Sequence, residues 1–500
     1  MFKFLSSLFH SSKKMLEPKI YVRDLSEWDF ARAVKKHRVD IVRLLIDRGC
    51  DIEQVIDNGG TALHYAAVFN ATELTGLLIS KGANVEAEDE EGCTPLYWAA
   101  SNNSCRSARL LIANNAAIEA RNESGHTPLI AAASGDLVDV ARVLLFGGAD
   151  KEVRDKNGRG PLYHAAIKNS LKSARLLVAK GADIEAKDGY GRTSLFAAAA
   201  ENQVDAVGFL LDEGANIEVK DVNGWGPLHS AAVNNAPGAT RFLVEKGADI
   251  EARNNNGRTP LYLAAGANSM ESARLLVSMG ADIEAKDKYG YTPLATATSE
   301  NHVNVVNFLV EKDADIDDIS HLGVTLLHQA AYKNAIEVSR FLVEKGADIE
   351  ARDNKGRRAM HHAAGSNSIE VIRLLVEIGA DLNATDNNGQ QPLHFAVSQN
   401  SLEVTQFLIT EGVDIEVKDD YDQMPLHIAA MCNSFSAAGF LLAEGSDIKS
   451  VDKWGRTPLD VAIDHNSARV ISLLAEYGAE ILPKDRLNKK PIGFASRKAS

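Results

Sequence analysis

The sequence predicts an all-α solenoid of stacked helix–turn–helix units, and three observations predict it. A Gly that precedes Thr-Pro-Leu or a close variant falls at Gly59, Gly92, Gly125, Gly158, Gly191, Gly224, Gly257, Gly290, Gly323, Gly356, Gly389 and Gly455. Successive markers lie 33 residues apart, except where Asp422 holds an intervening place. An Asn recurs at a fixed distance behind nearly every marker, from Asn70 to Asn466. Between them run two short apolar patterns of helical spacing, closed by Leu-Leu and then Gly-Ala-Asp-Ile or a variant. A helix pair of this size cannot bury its own apolar face, so it needs a neighbour on each side, and a fixed period supplies one.

The unit from Asn256 to Ala285 gives the local reasoning. Gly257 sits where a tight turn needs positive φ. Thr259 is placed to N-cap a helix, and Pro260 opens it without losing a hydrogen bond. Leu261, Ala264 and Ala265 form a narrow apolar face that lets neighbouring helices approach. Asn268 ends this helix because Asn tolerates the left-handed conformation. On that reading Asn268→Ala costs about 1 kcal/mol and Asn268→Gly nothing. A second helix is expected from Met270 to about Met279, with Ala273, Leu275, Leu276 and Val277 inward and Gly280 as its C-cap. Ala281 to Lys286 is then expected to run extended to the next turn.

In chain order, residues 1–24 form a tail outside the repeat. Its start, Met1 to Phe9, is short and apolar and is followed by Lys13 and Lys14. Residues 25–54 read as a degenerate capping unit, with Trp28-Asp29-Phe30-Ala31 where later units have Thr-Pro-Leu-His. Terminal repeats are atypical because one side faces water. Regular units are expected at 58–87, 91–120, 124–153, 157–186, 190–219, 223–252, 256–285, 289–318, 322–351, 355–384, 388–417, 421–450 and 454–483. The joint between Glu311 and Leu327 is irregular, with Asp313 for the closing Gly and Leu326 for Pro. Residues 484–500 read as a partial C-terminal capping unit rich in Lys and Arg.

The net charge of -14 argues against a general nucleic-acid binder, whose affinity comes from cations neutralising phosphates. Four scattered cysteines, Cys50, Cys93, Cys105 and Cys432, make neither a disulfide framework nor a zinc motif, and they fit a reducing compartment. No apolar run approaches the ~20 residues of a membrane span. No phosphate loop, Gly-x-Ser-x-Gly elbow or His-Glu-x-x-His helix is present. His64, His229, His328, His361, His394 and His427 recur at the repeat spacing. Equivalent places in stacked units lie about 10 Å apart, too far for one metal ion whose ligands sit near ~2 Å. The expected role is bonding to nearby backbone, and no metal, cofactor or catalytic residue is expected.

Thr-Pro-Leu-His-x-Ala-Ala followed by Leu-Leu and Gly-Ala-Asp-Ile resembles the ankyrin repeat family. The runs Pro227-Leu228-His229-Ser230-Ala231-Ala232 and Pro425-Leu426-His427-Ile428-Ala429-Ala430 carry the likeness most closely, and it spans residues 25–495. It implies an ankyrin-repeat solenoid with β-turn fingers, whose turns and first helices line a concave binding face. The function so implied is a non-catalytic scaffold or adaptor for a protein partner. A membrane-surface effector anchored by its N-terminal segment is the alternative. A cytoplasmic monomer is expected, with a nuclear address the alternative that the basic tail raises.

Residues beside each marker Gly have no structural duty in this reading and vary freely. Tyr, Trp and Arg gather there, although the chain is only 6% aromatic, and these types dominate interface hot spots. The densest run is Tyr190, Arg192, Trp225, Arg258, Tyr289 and Tyr291, the candidate protein-binding residues. Ala200-Glu201, Val233-Asn234, Gly266-Ala267 and Ser299-Glu300, at the ends of the first helices, would complete a groove for a protruding peptide or loop.

Overall fold

A computed structural model describes residues 28–480, and among them the chain forms 28 helices and no strand. The helices come in pairs, a first of six to eight residues followed by a second of nine. The expected N-terminal tail and C-terminal partial unit lie outside the described residues. The chain divides into two compact bodies. One holds residues up to Asp183 except 166–169, and the other holds those four and residues 184 onward.

The local reasoning can be followed in the second body. Helix Pro260–Gly266 starts on the N-cap Thr259, whose hydroxyl accepts from the Tyr262 N–H at 3.3 Å. Asn268 is left-handed, with φ 58, and the next helix, Met270–Ser278, ends before Gly280 at φ 94. The marker glycines are needed for two reasons. Gly224 has φ 77, and a Cβ added there would lie 2.8 Å from the Asn255 N of the next turn. Tight turns stacked this closely leave no room for a side chain.

Each body buries one apolar layer between its successive helix pairs. In the first, Leu63, Leu74, Leu96, Leu111, Leu129 and Leu144 are fully buried. In the second, one continuous core runs from Leu327 through Leu375 and Leu408 to Leu474. Ala takes the closest places, among them Ala264, Ala297, Ala330 and Ala363. The degenerate first pair, Phe30–Lys35 and Val39–Asp47, starts on Asp29, which accepts from the Arg32 N–H at 2.6 Å. Trp28 lies 5.4 Å from both the Arg32 and Arg38 guanidinium groups.

Two expectations need correction. At many of the first helices the Asn that follows does more than adopt a left-handed conformation. Asn202 Oδ1 accepts from the Ala239 N–H at 2.8 Å, in the first turn of the next pair's second helix. Asn169, Asn235, Asn400 and Asn433 do the same. That amide has no partner within its own helix, so the Asn side chain caps a neighbour. Nor is the connector simply extended: Ala281 to Lys286 turns at Ile283-Glu284, and the Ala285 N–H donates to the Asp282 O at 3.3 Å. Its Glu is a bridge. Glu251 Oε1 accepts from the Asp282 N–H at 2.7 Å, and Glu218 and Glu284 repeat this with Asp249 and Asp315.

At the irregular joint Asp313 takes φ 64 in place of Gly. Thr325 and His328 still cap helix Leu326–Tyr332 without the Pro. Ile319 and Leu322 remain 52% and 64% exposed beside a cleft lined by Ile316, Gly323 and Leu327.

Two outcomes are expected. Asn202→Gly keeps the left-handed backbone but loses the cap, so it should cost about 1 kcal/mol, the scale of an N-cap. Asn202→Ala should cost more, since it adds strain. Equal melting of wild type and Asn202→Gly would show that the cap contributes nothing. In hydrogen exchange resolved along the chain, amides between Glu311 and Leu327 should open first within the second body, because a strained Asp and exposed apolar residues replace packing there. Uniform protection through this joint would contradict that reading.

Candidate binding surface at the turn tips

The turns of the second body that carry the candidate residues are each organised by one Asp or Asn that the connectors supply. Asp287 is 5% exposed, and its Oδ1 accepts from the Tyr289 N–H at 2.9 Å and the Tyr291 N–H at 3.1 Å. Asp188 holds Tyr190 and Arg192 in the same way, both at 2.9 Å. Asp221 holds Asn223 and Trp225, and Asn254 holds Asn256 and Arg258. Successive tips are also joined through backbone. The Val222 N–H donates to the Tyr190 O at 3.1 Å, and the Lys288 N–H donates to the Asn256 O at 3.0 Å.

The six candidate residues occupy these tips in different ways. Tyr190 and Tyr289 are 55% and 59% exposed. The Arg192 guanidinium lies 4.7 Å from the Tyr190 ring while its Nε donates to Asp188 Oδ2 at 3.0 Å. Arg258 reaches across to the next turn, with Nε 3.4 Å from Asp287 Oδ2, and lies 5.0 Å from the Tyr262 ring. Trp225 and Tyr291 are partly buried, not fully free as expected of turn tips. The structure therefore brings Tyr190 and Arg192 together, and it ties Arg258 to the Asp that fixes Tyr289 and Tyr291. At the ends of the first helices, Glu201, Asn234, Ala267 and Glu300 are exposed. Aromatic stacking across turns occurs further on: the Tyr421 and Trp454 rings are 5.7 Å apart at 14°, with Arg456 over Trp454 at 4.8 Å.

The histidine ladder bonds to backbone, as its spacing suggested, and its geometry is uniform. His229 Nδ1 accepts from the Gly226 N–H at 3.1 Å, at the helix start. A backbone N–H can only donate, so Nδ1 carries no proton and Nε2 carries it. The Nε2–H then meets the Arg258 O at 3.1 Å, in the next turn. His328 makes the same pair of bonds to Thr325 and Arg357, His361 to Arg358 and Gln390, His394 to Gln391 and Gln423, and His427 to Met424 and Arg456. In the first body His64 does so with Thr61 and Cys93. In these joints the residue after the marker Gly thus has its carbonyl held by an imidazole. Asp460 takes the ladder place in the last pair and accepts from the Thr457 N–H at 2.9 Å.

Burial holds each of these imidazoles below the ordinary His range, and His361 is pushed down to about 4. His362, adjacent in sequence, is also pushed down to about 4 by burial, although it lies 3.0 Å from Asp353 Oδ2. The turn carboxylate of Asp353 is also lowered, but by its partners and not by burial. Arg357 and the backbone amide hold it down to about 2, against the effect of burial. All four cysteines are free thiols, and burial pushes Cys93 up to about 11, far from a reactive thiolate.

Among the described residues no helix is long and apolar enough to cross a membrane. A family model described as ankyrin repeats in three copies matches residues 30–122, 110–188, 185–254, 228–320, 279–353, 327–419 and 393–485. No curated protein matches the chain.

The imidazoles set a pH dependence whose sign can be worked out. A His of lowered folded pKa binds its proton more readily when unfolded, so its stabilisation is complete above about pH 6.5 and declines as pH falls toward about 4. His361→Gln keeps an acceptor for the Arg358 amide without a titrating group. Glu119, Glu251 and Glu284, pushed up by burial, act in the opposite sense, so the comparison with the variant is the test. Between pH 6.5 and 4.5 wild type should lose on the order of 2 kcal/mol more than His361→Gln. Parallel loss in both proteins would contradict a neutral buried imidazole.

Proposed function

The chain belongs to the ankyrin repeat family, and from that premise we propose that it is a non-catalytic scaffold or adaptor that holds a protein partner on its concave face. Ankyrin repeats are generally protein–protein interaction modules. The proposed contact residues are Tyr190, Arg192, Trp225, Arg258, Tyr289 and Tyr291. One observation carries the reading: Tyr190 and Tyr289 expose more than half of their surface from turns whose amides are fixed by buried carboxylates. A rigid tip presents an aromatic ring with little conformational entropy left to lose, which favours affinity. Arg192 and Arg258 keep their guanidinium groups near the same surface, each tied to an Asp. The exposed small or acidic residues that end the first helices leave room for a loop or peptide between neighbouring tips. The reading is of a cytoplasmic monomer whose partner is a protein and not nucleic acid, in keeping with the net charge of -14.

The test separates binding from folding. A partner captured by the intact chain and then purified should bind Tyr190→Ala and Tyr289→Ala more weakly by about 2 kcal/mol or more each, with melting nearly unchanged. Trp225→Ala should weaken binding too, but its partial burial means it also lowers stability. Leu228→Ala, in the core, should cost roughly 2–5 kcal/mol of stability and affect binding only by loosening the stack. If Tyr190→Ala and Tyr289→Ala bind that partner as tightly as wild type, the contact surface lies elsewhere.

A further inference from the structure

One group of side chains lies off the histidine ladder and has no part in the proposed surface. His126 follows the marker Gly125, Asp155 organises the following turn, and His164 lies in the helix Pro161–Ile167. One ligand atom from each lies within 4.8 Å of the others. Asp155 Oδ1 is occupied, accepting from the Asn157 N–H at 2.8 Å and the Arg159 N–H at 2.9 Å. Its Oδ2 is 3.0 Å from His164 Nε2 and 3.6 Å from His126 Nε2. The two rings meet edge to face, with centroids 4.8 Å apart, and both Nε2 atoms lie near the one oxygen.

Equivalent turns show what is unusual here. At Asp188, Asp353 and Asp452 the outer oxygen accepts from the Nε of the Arg four residues on, Arg192, Arg357 or Arg456, at 2.8–3.0 Å. Asp155 has Arg159 in that place. Yet the Arg159 guanidinium lies 5.4 Å from the Tyr163 ring, and its buried Nε has no hydrogen-bond partner. At Asp353 the second imidazole is missing as well, because Val324 stands where His126 would be. Among the described residues, only these three form such a His/carboxylate group.

We infer that His126, Asp155 and His164 bind one divalent cation of the zinc class. Two imidazole nitrogens and one carboxylate oxygen are a donor set that such borderline cations favour. Tetrahedral bonds of ~2.0–2.1 Å place ligand atoms ~3.3 Å apart, and the two measured edges fall on either side of that. Both Nε2 atoms must be free of protons to bind the cation, and a position is left open on the His126 side, where the side chain is 31% exposed. The ladder argument against metal does not reach this group, because Tyr163 holds the ladder place and His164 is the residue beside it. A bound ion would pin together two turns 29 residues apart in sequence.

The test uses the full chain, stripped with a chelator and titrated with Co²⁺ alone, then with Zn²⁺. Wild type should take up one equivalent of Co²⁺ with the visible absorption of a tetrahedral site, and Zn²⁺ should displace it and raise the Tm. His126→Ala should melt like wild type without metal but bind Co²⁺ far more weakly. The loss should exceed the ~10–100-fold typical of removing only an outer partner of a ligand. Equal Co²⁺ binding by wild type and His126→Ala, thiolate charge-transfer absorption in place of the expected spectrum, or no uptake by wild type would each overturn the inference.

Discussion

A buried backbone amide without a partner costs about 1–3 kcal/mol, and stacking tight turns on one another creates several such groups in every period. Side chains at fixed places satisfy them here. A buried Asp or Asn takes two turn amides, a Glu takes the first amide of the next connector, and an Asn takes an amide of the next second helix. The imidazole completes the set by joining a helix start to the following turn. The Glu, the Asn and the Nε2 of the imidazole each bond to the next unit, so satisfying a local need also couples neighbouring units. Ala at the closest approaches and Leu between the pairs then bury what the polar bonds have aligned.

This division of labour places the candidate surface. The residue after most marker glycines has its amide held by the turn Asp or Asn and, at several joints, its carbonyl held by a ladder His; Arg258 is held both ways. Its backbone is therefore fixed while its side chain is left free to vary. Much of the acidic excess also has a structural task, since connector Glu and turn Asp accept backbone amides throughout both bodies. The negative charge is thus tied to the architecture as well as to solubility.

The helix pairs were legible because their signals are local. Gly257, Thr259, Pro260, Asn268 and Gly280 each act through their own φ or their own helix end, which residue type alone reveals. What escaped the sequence was the partner of each polar side chain. For Glu251 and Asp287, nothing in a linear reading says which amide comes within 3 Å of them. Asn202 was read for its backbone and not for its side chain, whose acceptor role depends on the next pair. Trp225 looked exposed by its place beside Gly224, but packing covers part of it. The His126, Asp155 and His164 group arises from the stacking of turns, and the spacing of 29 and 9 residues resembles no linear motif.

The account rests on neutral imidazoles that accept at Nδ1 and donate from Nε2 across the six joints that carry a ladder His. The most direct measurement is the ¹⁵N spectrum of the chain labelled at histidine, recorded near pH 6. His64, His229, His328, His361, His394 and His427 are expected to appear as the Nε2–H tautomer, with slow exchange of that proton. Nδ1–H tautomers, or imidazoles that titrate with the ordinary His pKa while the chain stays folded, would contradict it.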